Sequence, residues 1–66
     1  MNVTVNGENQ TIDDGRTVLD LLNSLNLKAE STVVERNGDI LERTSFGDIS
    51  LSEGDVLELV RFVGGG

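Results

Sequence analysis

The residues of this sequence best suited to chemistry are Gly64, Gly65 and Gly66, which follow a run of apolar residues at its end. Glycine makes up about 7% of average proteins, so three in succession arise by chance in roughly 3 of 10,000 cases. Because glycine lacks a Cβ and loses the most entropy on ordering, they predict a flexible thread ending in the Gly66 carboxylate. Such a thread can bring that carboxylate through a narrow channel to a buried reactive centre. The alternative is a frayed end or a cloning remnant.

Charge and length limit the partners. Twelve Asp and Glu residues against five Lys and Arg residues give a net charge of −7, which argues against nucleic acid and anionic membranes. No apolar run approaches the roughly 20 residues of a membrane span, and the N-terminus lacks the pattern of a secretory signal. We therefore expect a cytoplasmic protein that is monomeric when free.

Hydrophobic periodicity predicts the first elements. Segment 2–6 alternates as a strand does, and Asn6-Gly7 is a strong hairpin signal before a second strand at 8–12. Thr17 can cap a helix whose first turn contains Asp20 and which stops near Asn26. Its apolar residues recur at helical spacing: Val18, Leu21, Leu22 and Leu25.

The second half predicts another hairpin and the longest strand. Segment 32–36 leads through Asn37-Gly38 to Ile40 and Leu41, and an irregular segment follows, held to the core by Phe46, Ile49 and Leu51. Segment 56–63 alternates as a strand, with Leu57, Leu59 and Val63 on one face and Val56, Glu58, Val60 and Phe62 on the other.

These elements predict an α+β fold in which one helix covers one face of a mixed sheet of four to five strands. We expect the first and last strands to be central, adjacent and parallel. The domain would span residues 1–63, followed by the glycine tail at 64–66. The core residues are predicted to include Leu21, Leu22, Leu25, Leu57 and Leu59.

The outer face of the last predicted strand carries Val60 and Phe62, where a protein acting alone would have polar residues. An exposed apolar pair beside a reactive tail predicts a docking patch for a partner enzyme. The alternatives are that the loop around Phe46 covers the pair, or that both are scattered surface residues. Arg61 is either an anchor for the tail against an acidic group of a partner or a solvated charge.

Acidic residues in two turns, Asp13-Asp14 and Asp48, raise the question of a cation site. They lack the D-x-D-x-D-G spacing with a distal Glu that calcium loops use. We therefore interpret them as solvated turns and predict no metal site.

Three segments together resemble a known family. They are V-x-x-N-G-x-I-x-x-R (Val34 to Arg43), L-x-x-G-D-x-L-E (Leu51 to Glu58) and R-F-V-G-G-G (Arg61 to Gly66). With the N-terminal M-N-V-T-V-N-G segment and the T-V-x-x-L-L helix, the sequence resembles the ThiS sulfur carriers over nearly its full length. ThiS belongs to the prokaryotic ubiquitin-like β-grasp proteins, which include MoaD and the archaeal small modifier proteins.

The resemblance implies a mechanism. A ThiF-like adenylating enzyme joins AMP from ATP-Mg to the Gly66 carboxylate, and sulfur from a donor such as a cysteine desulfurase replaces AMP to give a thiocarboxylate. Thiazole synthase then takes this sulfur for thiamine. The chain has no Cys, no His and no metal site with which to activate its own carboxylate. We therefore expect a protein substrate rather than an enzyme, with no cofactor bound by the chain itself.

Other functions stay open at this point. A MoaD-like carrier would supply molybdopterin synthesis, and a covalent modifier would pass the activated Gly66 carboxyl to a lysine of another protein. Lys28 is the only lysine, so chains of the modifier itself could grow only there or on the N-terminal amine. A non-covalent β-grasp binding module predicts that removal of the glycines leaves function intact.

Overall fold

The computed structural model describes residues 1–62, which form a five-stranded mixed sheet with one α-helix. The strands are β1 (Asn2–Val5), β2 (Glu8–Thr11), β3 (Thr32–Arg36), β4 (Asp39–Ile40) and β5 (Val56–Arg61), and the helix is α1 (Val18–Ser24). Two short 3₁₀ turns, Ala29–Ser31 and Arg43–Ser45, lie in the connections. The predicted boundary between domain and tail lies at residues outside the described part.

Strand β5 lies at the centre of the sheet, whose order is β2-β1-β5-β3-β4. It runs parallel to β1, with Thr4 opposite Val56, and antiparallel to β3, with Val33 opposite Val60. The prediction that the first and last strands are central, adjacent and parallel is confirmed. The α+β, β-grasp arrangement is confirmed with it.

Both predicted Asn-Gly turns form the hairpins. Asn6 and Gly7 have φ values of 50° and 82°, and Asn37 and Gly38 have 51° and 90°. Two successive residues with positive φ match the right-handed twist of the flanking strands. Asparagine tolerates this conformation better than other residues with a side chain, which explains its place before each glycine.

Helix α1 begins as predicted and ends at Ser24, close to the predicted end near Asn26. Thr17 Oγ1 accepts a hydrogen bond from the Asp20 backbone N–H at 3.1 Å, and Asp20 Oδ2 accepts one from the Thr17 N–H at 2.9 Å. Hydrogen bonding of the Asp20 carboxylate with the Thr17 backbone N–H, and then with the Thr17 side chain, lowers the pKa of Asp20. Leu25 is the C-cap, and Asn26, with φ of 59°, turns the chain away. Leu25 is therefore 38% exposed, and its prediction as a core residue is wrong.

The core lies between α1 and one face of the sheet. Phe46 is 2% exposed, and its carbonyl accepts a hydrogen bond from the Leu19 N–H at 3.0 Å, so the irregular segment closes over the start of α1. The buried apolar residues form one cluster: Val3, Val5, Val18, Leu21, Leu22, Val34, Phe46, Leu51, Leu57 and Leu59. Apart from Leu25, the predicted leucine core is confirmed. Within residues 1–62, no helix has the length and apolar character needed to cross a bilayer.

A buried carboxylate joins the turn before β5 to the β3–β4 hairpin. The carboxylate of Asp55 accepts hydrogen bonds from Arg36 Nε at 3.0 Å, Asn37 Nδ2 at 3.1 Å and the Ser52 N–H at 2.8 Å. Burial alone would raise the pKa of Asp55. The bonds from Ser52, Asn37 and Arg36, with the positive charge of Arg36, outweigh it and hold this pKa below its ordinary value.

This lowered pKa predicts a pH-dependent contribution to stability. Since the pKa is lower in the folded than in the unfolded state, the contribution is complete above the unfolded value of about 3.9 and is lost as pH falls through the folded pKa. We expect Asp55→Asn to lower the free energy of unfolding by about 2 kcal/mol at pH 7. Urea melts of both proteins between pH 7 and 2 should show the difference shrinking in acid. A difference that stays constant would contradict this role for the Asp55 charge.

Candidate functional site

The three glycines that the sequence singles out, Gly64, Gly65 and Gly66, lie outside the described residues, as does Val63. The described part of the site is the end of β5 that leads toward them. There, the Phe62 N–H donates a hydrogen bond to the Ser31 carbonyl at 3.0 Å. The chain is thus held to the start of β3 as far as Phe62.

The outer face of the sheet, opposite α1, carries an exposed apolar patch. Val60 is 59% exposed and Phe62 is 49% exposed, whereas Leu59, the residue before Val60, is 8% exposed. Val33, on β3, lies directly opposite Val60 and extends the patch across two strands. The predicted assignment of the faces of β5 is confirmed for residues 56–62. The alternative that the Phe46 loop covers Val60 and Phe62 is wrong, since Phe46 lies in the core on the helix side.

Arg61 does not share this patch. Successive side chains of a strand point to opposite faces, so Arg61 lies on the same face as Leu57 and Leu59. Its side chain is exposed. Of the three residues predicted for docking, the structure therefore brings Val60 and Phe62 together and places Arg61 across the sheet from them.

Two carboxylates border the patch. Glu35 on β3 lies directly opposite Glu58 on β5, and both alternate with buried residues, which places them on the outer face. Like charges in directly opposed positions destabilise a sheet. A partner that brings a cation to this point would remove the repulsion. Sequence reasoning missed Val33 and Glu35, although the alternation of segment 32–36 carried the signal.

The side chains of the two turn asparagines bind the backbone of β5, which sequence reasoning also missed. Asn6 Oδ1 accepts a hydrogen bond from the Leu59 N–H at 2.7 Å, and Asn6 Nδ2 donates one to the Leu59 carbonyl at 3.2 Å. Asn37 Oδ1 accepts a bond from the Val56 N–H at 2.8 Å. The turns thus hold β5 near both of its ends.

The acidic residues Asp13 and Asp14 form ion pairs in an exposed turn. Asp13 pairs with Arg16 at 3.3 Å, and Asp14 lies 3.4 Å from the N-terminal amine of Met1, with both carboxylates largely exposed. In the part of the chain that the structure describes, no three Asp or Glu residues gather as a metal site would require. These residues are explained as solvated turns.

Comparison with known proteins identifies the family. Residues 3–66 match the sequence model of the ThiS family. The chain belongs to the ThiS family. A sulfur carrier protein ThiS from Bacillus subtilis is 42% identical over 53 residues, covering 80% of each chain. A crystal structure of the thiamine biosynthesis protein ThiS from Geobacter metallireducens matches with a TM-score of 0.83, at 42% identity and over 100% of both chains.

Two longer relatives also match this ThiS-family chain. They are thiazole synthases from Paramagnetospirillum magneticum, 36% identical, and Magnetococcus marinus, 38% identical, each over 66 residues. The chain is matched in full but spans only 20% of the length of these two proteins. A ThiS-like segment thus occurs within proteins that are named thiazole synthase.

Proposed function

We propose that this ThiS-family protein is a sulfur carrier whose Gly66 carboxylate is adenylated and converted to a thiocarboxylate that donates sulfur to the thiazole of thiamine. The observation that carries the proposal is that the family match runs from residue 3 through residue 66. The three glycines therefore belong to the family pattern, which a cloning remnant would not. The named function of the Bacillus subtilis relative supports the same conclusion.

The chemistry divides between this chain and its partners. A carboxylate oxygen of Gly66 attacks the α-phosphorus of ATP, pyrophosphate leaves, and the product is a mixed anhydride with AMP. A sulfur nucleophile then attacks the carbonyl carbon and AMP leaves. Sulfide gives the thiocarboxylate directly, whereas the persulfide of a desulfurase gives an acyl disulfide, whose S–S bond a thiol then reduces to release the thiocarboxylate. The chain supplies the carbon that is attacked, while ATP-Mg is bound by a ThiF-like adenylating enzyme. This role requires no catalytic side chain from the carrier itself.

The remaining partners follow from the same scheme. A donor such as a cysteine desulfurase supplies the sulfur, and thiazole synthase consumes it; the thiazole synthases that contain a ThiS-like segment support the second pairing. We place the reaction in the cytoplasm, where ATP is available. The glycine tail, Gly64 to Gly66, enters the enzyme while the folded domain stays outside.

The docking surface is the outer-face patch of Val33, Val60 and Phe62. Its exposure and its place at the end of β5 that leads to the tail support this assignment. An enzyme that binds here would present an apolar centre, with a cationic group opposite Glu35 and Glu58. Arg61, across the sheet, is free to pair with an acidic group of the same enzyme near the tail.

Truncation of Phe62 tests the docking surface. We expect Phe62→Ala to weaken binding to the adenylating enzyme by about 1–3 kcal/mol, the range for buried apolar anchors, and to leave the fold intact. Calorimetry and thermal melts measure the two effects separately. Val56→Ala is the matched control, since Val56 is 47% exposed on the same strand and face but at its far end. A collapsed melt with unchanged affinity per folded molecule would show that Phe62 is a core residue.

Carrier-dependent exchange of pyrophosphate into ATP tests the first chemical step. We expect the cognate adenylating enzyme to catalyse this exchange only when the protein is present. Formation of isopeptide conjugates that end in Gly66, without transfer of sulfur, would favour a covalent modifier instead. The intact mass of the purified protein checks that Gly66 carries the free carboxylate that both functions need.

A further inference from the structure

Strand β5 extends further than its parallel neighbour, β1. Strand β1 ends at Val5, which lies opposite Leu57, and the chain then turns back through Asn6 and Gly7 into β2. Among residues 1–62, therefore, no strand lies beside the part of β5 beyond Leu57 on the β1 side. On the other side, β3 accompanies β5 as far as Arg61.

The Asn6 side chain takes the place of the missing strand. The carbonyls of Asp55, just before β5, and of Leu57 face β1. The Asp55 carbonyl accepts a hydrogen bond from the Thr4 N–H at 2.8 Å, and the Leu57 carbonyl accepts one from the Asn6 N–H at 2.9 Å. By the two-residue alternation of a strand, Leu59 is next on that side. The Asn6 amide pairs with both the N–H and the carbonyl of Leu59, at 2.7 and 3.2 Å.

Asn6 is thus the last tether of β5 on the β1 side in the described chain. Phe62 lies only three positions after Leu59, and the exposed apolar side chains of the patch on this strand, Val60 and Phe62, both follow Leu59 within that distance. A strand bound along one edge can twist away from the sheet. A strand bound along both edges has its direction fixed.

We propose that Asn6 is a positioning residue: its side-chain amide fixes the direction of β5 from Leu59 onward, and so presents the docking patch to the adenylating enzyme. This inference rests on the proposed function. Turn geometry alone does not require the amide, because glycine adopts the φ of 50° found at Asn6 at no steric cost. The role of the Asn6 amide is therefore to bind the backbone of β5.

Asn37 provides a matched control. It has the same turn geometry, with φ of 51°, and its side chain also makes two hydrogen bonds, to the Val56 N–H and the Asp55 carboxylate. These bonds hold the beginning of β5, about 20 Å from Phe62 along the strand. Asn37→Gly should therefore loosen β5 at the end opposite the docking patch.

The experiment compares Asn6→Gly and Asn37→Gly at a temperature where both are folded. For Asn6→Gly we expect amide hydrogen exchange about ten-fold faster at Leu59, and a KM for the carrier in pyrophosphate exchange about five-fold higher, with kcat little changed. For Asn37→Gly we expect faster exchange at Val56 and an unchanged KM. A merely structural role for Asn6 would not separate the two variants in this way.

Each other result has a defined meaning. A normal KM for Asn6→Gly, or an equal rise in KM for Asn37→Gly, overturns the inference. If Asn6→Gly does not fold, Asn6→Asp replaces it. The carboxylate side chain of that variant would keep the acceptor for the Leu59 N–H but lose the donor to the Leu59 carbonyl. A normal KM for Asn6→Asp overturns the inference too. If the wild-type protein is not adenylated, the proposed function fails. The tether is tested separately by hydrogen exchange: if Asn6→Gly does not accelerate exchange at Leu59, the tether is overturned as well.

Discussion

Deletion of Gly66 is expected to abolish adenylation and to leave the melting temperature unchanged. The truncated chain still ends in a glycine carboxylate, but that group is withdrawn by about 3.5 Å, the length of one extended residue. A misplacement of about 1 Å can cost 100-fold in rate, so the shortened tail should show no measurable pyrophosphate exchange. The buried core of the described residues lies within residues 3–59, and we therefore expect the fold to be retained without residue 66.

The length-matched control for this deletion is Gly66→Ala. It keeps the carboxylate at its full reach and adds one methyl group, so it separates the length of the tail from its lack of side chains. We expect residual activity from Gly66→Ala and none from the deletion. A deletion variant that unfolds, or one that is adenylated at the wild-type rate, would contradict the role given to the tail.

Truncation of Leu59 is expected to cause a large loss of stability. Leu59 is 8% exposed and belongs to the core cluster between α1 and the sheet. Leu59→Ala should lower the free energy of unfolding by about 2–5 kcal/mol, through lost apolar contacts and the cavity left behind. In a domain of this size, a loss in that range removes much of the total stability.

Val60→Ala is the control for that measurement. Val60 is the next residue of β5 and is 59% exposed on the opposite face. Its truncation should change the free energy of unfolding by no more than about 0.5 kcal/mol. Urea melts of both variants give the comparison directly. If Val60→Ala proves the more destabilising of the two, the faces of β5 have been assigned in reverse.

Local patterns were sufficient to predict the elements and most of the core. The alternation around Leu57 and Leu59, the helical spacing after Thr17 and the two Asn-Gly turns each depend on residues close together in the sequence. The position of Leu25 was not predictable in this way. Its periodicity fits a core residue, but the helix ends one residue earlier and Asn26 turns the chain away.

The parts of the site that sequence reasoning missed depend on distant pairing. The Asn6 side chain binds Leu59, 53 residues away, and no local pattern reports such a contact. Val33 belongs to the patch, and Glu35 lies at its border, only because of the register in which β3 pairs with β5. The glycine tail, by contrast, stays a prediction that depends on residue type alone, because no other residue has the conformational freedom of glycine.

The intact mass of the protein, after incubation with its adenylating enzyme, ATP-Mg and a sulfur donor, tests the central claim most directly. We expect a gain of about 16 Da, the replacement of one oxygen by sulfur, located at Gly66 by fragmentation. Oxidation of Met1 also adds about 16 Da, but only a thiocarboxylate then reacts with a thiol-alkylating reagent, since the chain has no Cys. A gain that alkylates and maps to Gly66 is the predicted result. No gain with an active cognate enzyme, or a gain confined to Met1, would contradict the account.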